Sequence, residues 1–468
     1  MESETGYKLI SKEPSIAWVD QGILTSERMD SSFFESKYLI TEKKLNDFGV
    51  IKFEKIIDEL SGGATPRGAN YLDAGIKFLR AQNIKENQFD LSDVSCISEE
   101  DDEKLNRSRL QEQDIVMTIT GYPGVAAVVT EDFLPANISQ HSVRIKINDF
   151  DPYFVSTFIN SYYGERQINR RSYGGTRQAI NYRDIKRLKI PNTSPEIQKY
   201  IGDKIRKAEK LREEAKNLRN EAETILQSEL KINNDVNNTD DKIYKWVNKE
   251  KLKIKLVPQY YDEIYEKIEE KLLSYKCKSL IDLCKDFSIT VPYSKDYGDK
   301  SSENIIPMLR VKNISEYMID TNSMVYMNEK YYNNNEKCRI FNGDILFSRV
   351  GTIGKVAIYK YKENAAMAQN ITRIRLKSDI NKYYFLCYIN SKISKLMMER
   401  ETNLAVQSNL TNTKLKELKI PILDKEKQKE IGAKVKKHIN NLLKVEELIE
   451  EAKQDVEDLI DGNLEVDN

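Results

Sequence analysis

Between Tyr163 and Arg187 the chain sets Arg166, Arg170, Arg171, Arg177, Arg183, Lys186 and Arg187 among Tyr163, Tyr173 and Tyr182, with Gly174-Gly175 as a flexible break. These residue types handle nucleic acid. Arginine contacts phosphate or forks onto guanine, the amides of Gln178 and Asn181 fit adenine, and tyrosine hydrogen-bonds phosphate. A run of charge alone is usually a solvated face. Arg, Gln, Asn and Tyr mixed around Gly-Gly point instead to DNA. The candidate contacts in this stretch are Arg166, Arg170, Arg171, Tyr173, Gly175, Thr176, Arg177, Gln178 and Asn181.

A second stretch, ERETNLAVQSNLTNTKLK (399–416), is less basic but offers Gln407, Asn409 and Thr411. Two such stretches of different composition imply that two halves read different sequences. Further candidates are Thr65, Arg67, Arg80, Asn83, Arg310, Lys312, Asn313 and Arg349. The Arg/Asn pair that recurs in LRxxNI has two readings, a phosphate contact or the scaffold of a shared loop, and one sequence does not separate them.

No set of residues for covalent chemistry can be assembled. GTIGK (351–355) lacks the glycine spacing of a phosphate loop, and Val356 stands where Ser or Thr must follow the lysine. It reads as a turn whose glycines permit φ > 0, as does GYPG (121–124). The two histidines, His141 and His438, cannot form a triad or a metal set. There is no tetrad for amino methylation and no glycine-rich strand end for S-adenosylmethionine. Catalytic, cofactor-binding and metal-binding residues are therefore all expected to be absent. The five cysteines are scattered, without CxxC, which reads as free thiols in a reducing cytoplasm. The N-terminus does not read as a signal peptide, and no apolar run of about 18 residues is present, so a soluble, cytoplasmic protein without a membrane partner is expected.

The positioning elements are written twice. Arg80, Asn83, Asp114, Gly121, Gly124, Asn160, Gln198 and Gly202 reappear 230 positions later as Arg310, Asn313, Asp344, Gly351, Gly354, Asn390, Gln428 and Gly432. The interval slips by one residue between Ala136 and Arg144, and RMDSSFF (28–34) corresponds loosely to KLVPQYY (255–261). FLRAQNI, DIVMTITG (114–121), VAAVVT (125–130) and SVRIKI (142–147) read as strands, as do DILFSRVG, KVAIYK and ITRIRLK in the second copy. After each copy comes a long helix. In 194–230, capped by Ser194 and Pro195, apolar residues fall at Ile201, Ala208, Leu211, Ala215, Leu218, Ala222 and Ile225. In 425–460 they fall at Leu442, Val445, Ile449, Ala452, Val456 and Leu459, with His438 on the same seam. Two heptad helices in one chain can pair as an antiparallel coiled coil, and tandem units suit a nearly two-fold partner such as duplex DNA. The 468 residues carry 74 basic and 74 acidic side chains, so net charge is zero and DNA binding must rest on where the charge lies.

This pattern resembles the specificity subunits of type I restriction–modification systems. The matching features are two LRxxNI strands, DIV/DIL strands running into GxxG turns, Gly-Thr-Arg-Gln-Ala-Ile-Asn (175–181), LKIP exits and Gln-x-x-Ile-Gly helix starts. The second stretch departs at 405–411. The resemblance implies an α+β fold with two similar target-recognition domains in tandem, each followed by a long helix, the helices pairing as an antiparallel coiled coil. The boundaries expected are a first recognition domain at 1–193, a helix at 194–232, a linker at 233–249, a second domain at 250–422 and a helix at 423–462. It further implies a non-catalytic subunit that reads a bipartite site on double-stranded DNA. Its partners would be two methyltransferase subunits and restriction/translocase subunits, which carry S-adenosylmethionine and ATP. The alternatives are a recognition subunit of a methyltransferase or phage-defence complex outside type I systems, which the co-purifying partner would reveal, and a diverged nuclease, which would cut DNA alone with Mg²⁺. A coiled-coil adaptor would bind duplex only non-specifically.

Overall fold

Of the residues that recur at the 230-residue interval, Asn83, Asp114, Asn160 and Gln198, with Asn313, Asp344, Asn390 and Gln428, prove to be buried hydrogen-bonding parts of one scaffold built twice. The structure, a computed structural model, describes residues 7–11, 16–19, 30–66, 68, 71–232, 247, 258–289, 297–298, 304–321, 323–350, 354–402 and 410–465. The chain forms two units, residues 1–211 with 444–468 and residues 212–443. Each unit thus holds part of both long helices. Of the expected linker at 233–249, only Val247 lies among the described residues.

In the first unit four antiparallel strands run in the order Ala126–Val128, Ile115–Thr118, Ser142–Ile147, Ile57–Gly62. In the second unit Val356–Ile358, Ile345–Ser348, Ile371–Leu376 and Cys284–Ile289 repeat that order. A second sheet lies beside each: three strands around Ile76–Leu79 in the first unit and five around Ile305–Leu309 in the second. Ile115, Val116, Met117 and Val143 are fully buried, as are Leu346, Phe347 and Ile374. These strands are continuously apolar because both faces are covered.

Asp114 and Asp344, which open the DIV and DIL strands, accept from Gln111 N at 2.6 Å and Phe341 N at 2.9 Å, closing the preceding turn. Asn160 and Asn390 each bridge one strand residue from both sides. Asn160 Oδ1 accepts from Ala126 N and its Nδ2 donates to Ala126 O; Asn390 does the same at Val356. Ser161 and Ser391 cap the helices Tyr162–Arg171 and Lys392–Glu401.

FLRAQNI is only half strand. It extends over Ile76–Leu79, and Arg80 then starts the 3-10 turn Ala81–Asn83. The cause is Asn83, whose Oδ1 accepts from Arg80 N at 3.0 Å and bends the chain out of the sheet.

The long helices run Pro195–Glu229 and Lys425–Asp461. Within the first unit Lys204 pairs with Asp455 at 2.5 Å. Within the second, Glu214 pairs with Lys437 and Glu221 with Lys434, both at 2.5 Å. In the second unit one sequence number falls as its partner's rises, so there the segments are antiparallel, as expected from the sequence. Ala208, Ala215 and Ala222 are fully buried along the seam. Near its end Leu226 takes the buried position rather than Ile225, because an uncoiled helix drifts from a strict heptad. His438 sits in this seam and donates Nδ1–H to Ala215 O at 2.8 Å. Burial pushes its pKa down to about 4, so the ring is neutral.

Gly202 and Gly432 explain the Gln-x-x-Ile-Gly helix start. Gln198 Oε1 accepts from Asp151 N, and Gln428 Oε1 from Asn381 N, tying each long helix to the cap of the helix before it. A Cβ on Gly432 would lie 2.5 Å from Asn381 Oδ1, which caps Tyr383 N and Tyr384 N. Gly432→Ala should therefore destabilise by about 1–2 kcal/mol in urea unfolding, against the roughly 1 kcal/mol gain that helix propensity alone gives. A net gain would show that this close approach is unimportant.

Candidate functional site

A short pairing at the edge of the first unit gathers the exposed candidates. Thr120–Gly121 pairs antiparallel with Gln178–Ala179, and Tyr173 bridges to Ala179 on the other side. Ile180 N donates to Ile119 O at 3.0 Å, fastening the 172–181 loop to the end of the DIV strand. Gly174 makes the turn possible. It has φ +100, and a Cβ there would lie 2.5 Å from Arg177 O. Tyr173, Gly175, Thr176, Arg177 and Gln178 are all exposed. Opposite Gln178 stands Gly121, whose Cβ position meets no atom within 4 Å, so nothing on that strand crowds the glutamine.

The loop before the Ser142 strand adds to this surface. Ile119 N donates to His141 O at 2.9 Å. Arg177 Nη2 donates to His141 Nε2 at 3.3 Å, which places the imidazole proton on Nδ1. Burial, and then the Arg177 charge, hold the His141 pKa below its ordinary value. Thr65 bonds to Gln140 from the facing loop. Tyr182 packs its hydroxyl over Gly62, where no Cβ would fit. Tyr182 belongs to the run that the sequence read as contacting DNA, whereas Tyr122, Gln140 and His141 join the surface without having been candidates from sequence. Gln140 recurs as Gln369 once the slip is allowed for, while Tyr122 and His141 have no like residue in the second copy and left no signal. Arg67 lies outside the described residues.

Several candidates prove to be scaffold. Asn83 and Asn313 are 2% and 0% exposed. Their amides donate to Asp90 O and Asp93 O, and to Asp320 O and Ser323 Oγ. No polar atom is left for DNA, so for this pair the scaffold reading holds. Arg80 reaches Asp93 O and Arg310 reaches Ser323 O, bracing the same loop, while Lys312 is exposed beside it. Asn181 also changes role. Its Oδ1 accepts from Asp184 N at 2.9 Å and its Nδ2 donates to Asp184 Oδ2 at 2.8 Å, which caps the helix Tyr182–Lys186. Thr411 stands at the matching position and caps Asn412–Glu417 through Lys414 N.

Arg170 is 7% exposed and faces inward. Its Nε donates to Phe33 O at 2.8 Å, its Nη1 pairs with Glu42 at 2.5 Å, and its guanidinium lies 4.1 Å from the Phe33 ring centre. Arg400 repeats the arrangement with Tyr260 and Glu269 in the second unit. The loose kinship of RMDSSFF and KLVPQYY is therefore a shared docking turn, and Arg170 is reassigned from phosphate contact to anchor. Arg171 is half-buried, 3.9 Å from Asp184. Arg166 lies over the Tyr162 ring at 4.2 Å.

In the second unit Gln407 and Asn409 lie outside the described residues. Arg349, at the place of Ile119, keeps the backbone pattern: its N donates to Asn370 O and its O accepts from Leu410 N. Burial lowers its pKa, and its Nε has no hydrogen-bond partner among the described residues. Among the described residues no group of three or more His, Cys, Asp or Glu side chains could hold a metal ion, and no helix is long and apolar enough to cross a membrane.

The family model for the type I restriction modification DNA specificity domain matches residues 40–224 and 273–454. The matched stretches end 230 residues apart (454 − 224 = 230), the interval of the internal repeat. Over 146 residues the chain is 34% identical to the type I restriction enzyme MjaX specificity subunit of Methanocaldococcus jannaschii, covering 29% of this chain and 33% of that protein. Over 198 residues it is 28% identical to the type I restriction enzyme EcoBI specificity subunit of Escherichia coli, covering 41% of this chain and 40% of that one. The chain thus spans a third to two fifths of the length of these curated relatives. The crystal structure of a type I restriction–modification S subunit from M. genitalium aligns over 90% of this chain and 96% of its own, at 12% identity and a TM-score of 0.41.

Proposed function

Since the chain belongs to the family of type I restriction–modification DNA specificity proteins, we propose that it reads a bipartite duplex site, one half per unit, and brings adenine methyltransferase subunits to it. Two methyltransferase subunits and ATP-driven restriction/translocase subunits complete the assembly. The chain contributes sequence recognition and no covalent chemistry, so S-adenosylmethionine and ATP bind its partners. The observation that carries this reading is the loop of Tyr173–Gln178. Its ends pair with each other, Tyr173 with Ala179, and Gln178–Ala179 pairs with Thr120–Gly121, yet every side chain from Tyr173 to Gln178 is exposed. A rigid mount with bare Arg and Gln side chains suits base edges.

The two copies share their buried residues and differ in this loop, which supports separate half-sites. The test maps methylated adenines in cells expressing the chain with its methyltransferase. A bipartite motif is expected. Gln178→Ala should relax one position of the first half-site and cost roughly 1–3 kcal/mol, leaving the second half-site unchanged. Equal loss at both half-sites, or methylation by the chain alone, would refute the reading.

A further inference from the structure

The turn beside Gln178 presents one further large side chain to solvent. Tyr122 is 86% exposed, the highest value among the large apolar side chains of the described residues. The turn that carries it is nevertheless bonded to Thr118 at three points. Thr118 Oγ1 donates to Tyr122 O at 2.5 Å and accepts from Val125 N at 3.0 Å, and Gly124 N donates to Thr118 O at 2.9 Å. Gly121 and Gly124 flank it with φ +91 and +100. Gly124 also packs closely on Ile168, where a Cβ would come within 2.7 Å of Cδ1. Pro123 fixes a further φ.

A well-fastened turn that leaves its one large ring in water gains nothing for folding. Such a mount suits contact, because a tyrosine on rigid backbone offers a large area and loses little entropy on binding. Its neighbours define the partner. Tyr122 follows Gly121, which pairs with Gln178, and Arg177 comes next. Tyr173 and Tyr182, 51% and 43% exposed, lie on the same edge. Arginine, glutamine and bare aromatic rings together fit nucleic acid, whose bases offer hydrogen-bonding edges and apolar surfaces.

We infer that Tyr122 is a specificity-determining residue of the first half-site, its ring packing against a base step in the groove read by Arg177 and Gln178. The inference rests on the proposed function and extends it. The 230-residue interval puts Thr352 at the matching position, so the probe belongs to the first half-site alone. Packing of a side chain on a base step is sequence-dependent, because steps differ in how readily they open.

The test uses the full chain assembled with its methyltransferase subunits, carrying Tyr122→Ala or Tyr122→Phe, on a library of duplex sites. Tyr122→Ala should slow methylation of the best site about ten- to a hundredfold, the usual range for losing an aromatic base contact. It should relax preference within the first half-site only. Tyr122→Phe, which keeps the ring, should stay within about threefold of the parent on the same scale. Unchanged selectivity in Tyr122→Ala overturns the inference, as does equal loss in both variants. Failure of Tyr122→Ala to co-elute with the methyltransferase also overturns it, since the ring would then be a protein contact. If Gln178→Ala still relaxes the half-site while Tyr122→Ala does not, only this inference falls. If neither does, the proposed function falls with it.

Discussion

Replacing Arg144 with methionine should cost the first unit about 3–5 kcal/mol, the range for removing one partner of a buried ion pair. Arg144 and Asp114 are 4% and 1% exposed and meet at 2.6 Å, Nε to Oδ2. Arg144 also reaches Glu59 at 3.0 Å. Methionine fills most of the volume but leaves the Asp114 carboxylate buried, with the Gln111 amide as its remaining donor. The penalty is that of a stranded charge rather than of a cavity. Adding Asp114→Asn to Arg144→Met should recover part of the loss, because a neutral amide still accepts from Gln111 N. Urea unfolding of Arg144→Met, Asp114→Asn and the double variant measures both quantities. Additive losses would mean that the pair is not coupled.

The second unit shows that this pair is a solution to a general need. There Asp344 keeps its turn, but Arg375 meets it at 2.6 Å while Arg373 turns to Asp286 at 2.8 Å. One arginine serves two acids in the first copy, and two arginines share the work in the second. The strands keep the same alignment in both copies, Arg144 opposite Val116 and Arg373 opposite Leu346, and the second arginine arises because Arg375 stands where the first copy has Lys146. Nothing in the sequence announces which arginine takes which acid.

What was legible follows from the same physics. Buried amides, turn-closing acids and helix-start glycines have few substitutes, so they recur at a fixed interval and betray two copies of one fold. The heptads place the seam because burial repeats every seven residues. The functional surface is legible only in composition. Tyr173–Gln178 stands out by residue type, but Tyr122, Gln140 and His141 reach it through pairing between segments far apart in sequence. Arg170 illustrates the opposite error. Set in a basic run, it reads as a phosphate contact, and only its place on the inner face of the helix Tyr162–Arg171 gives it to Glu42 and Phe33. Helical periodicity gives no help there, since a docking turn from the N-terminal segment covers that face.

That reassignment yields a second large effect, visible in pH. Burial opposes ionisation of Glu42, yet the Arg170 and Lys189 cations beside it hold its pKa down to about 2. In the unfolded chain the carboxyl titrates near its ordinary 4.5. A folded pKa below the unfolded one means stability that is fully present above pH 4.5 and lost as pH falls towards 2. A displacement of that size corresponds to roughly 3 kcal/mol. Arg170→Met should remove part of that amount at neutral pH and flatten the acid limb of the stability curve between pH 4.5 and 2. Lys189, still 2.7 Å from Glu42, keeps the limb from vanishing. In the complete DNA-binding assembly the same variant should leave the dependence of affinity on salt unchanged, because a guanidinium committed to Glu42 and Phe33 O releases no counterion from DNA. If Arg177 contacts phosphate, Arg177→Ala should reduce that slope by about one, whereas its loss from a base contact would show as relaxed selectivity instead. Acid titration of unfolding and a salt series on one pair of variants therefore separate anchor from reader. A reduced salt slope in Arg170→Met with its stability intact would return Arg170 to the DNA interface and leave the docking turn at Ser31–Phe34 without its principal clasp.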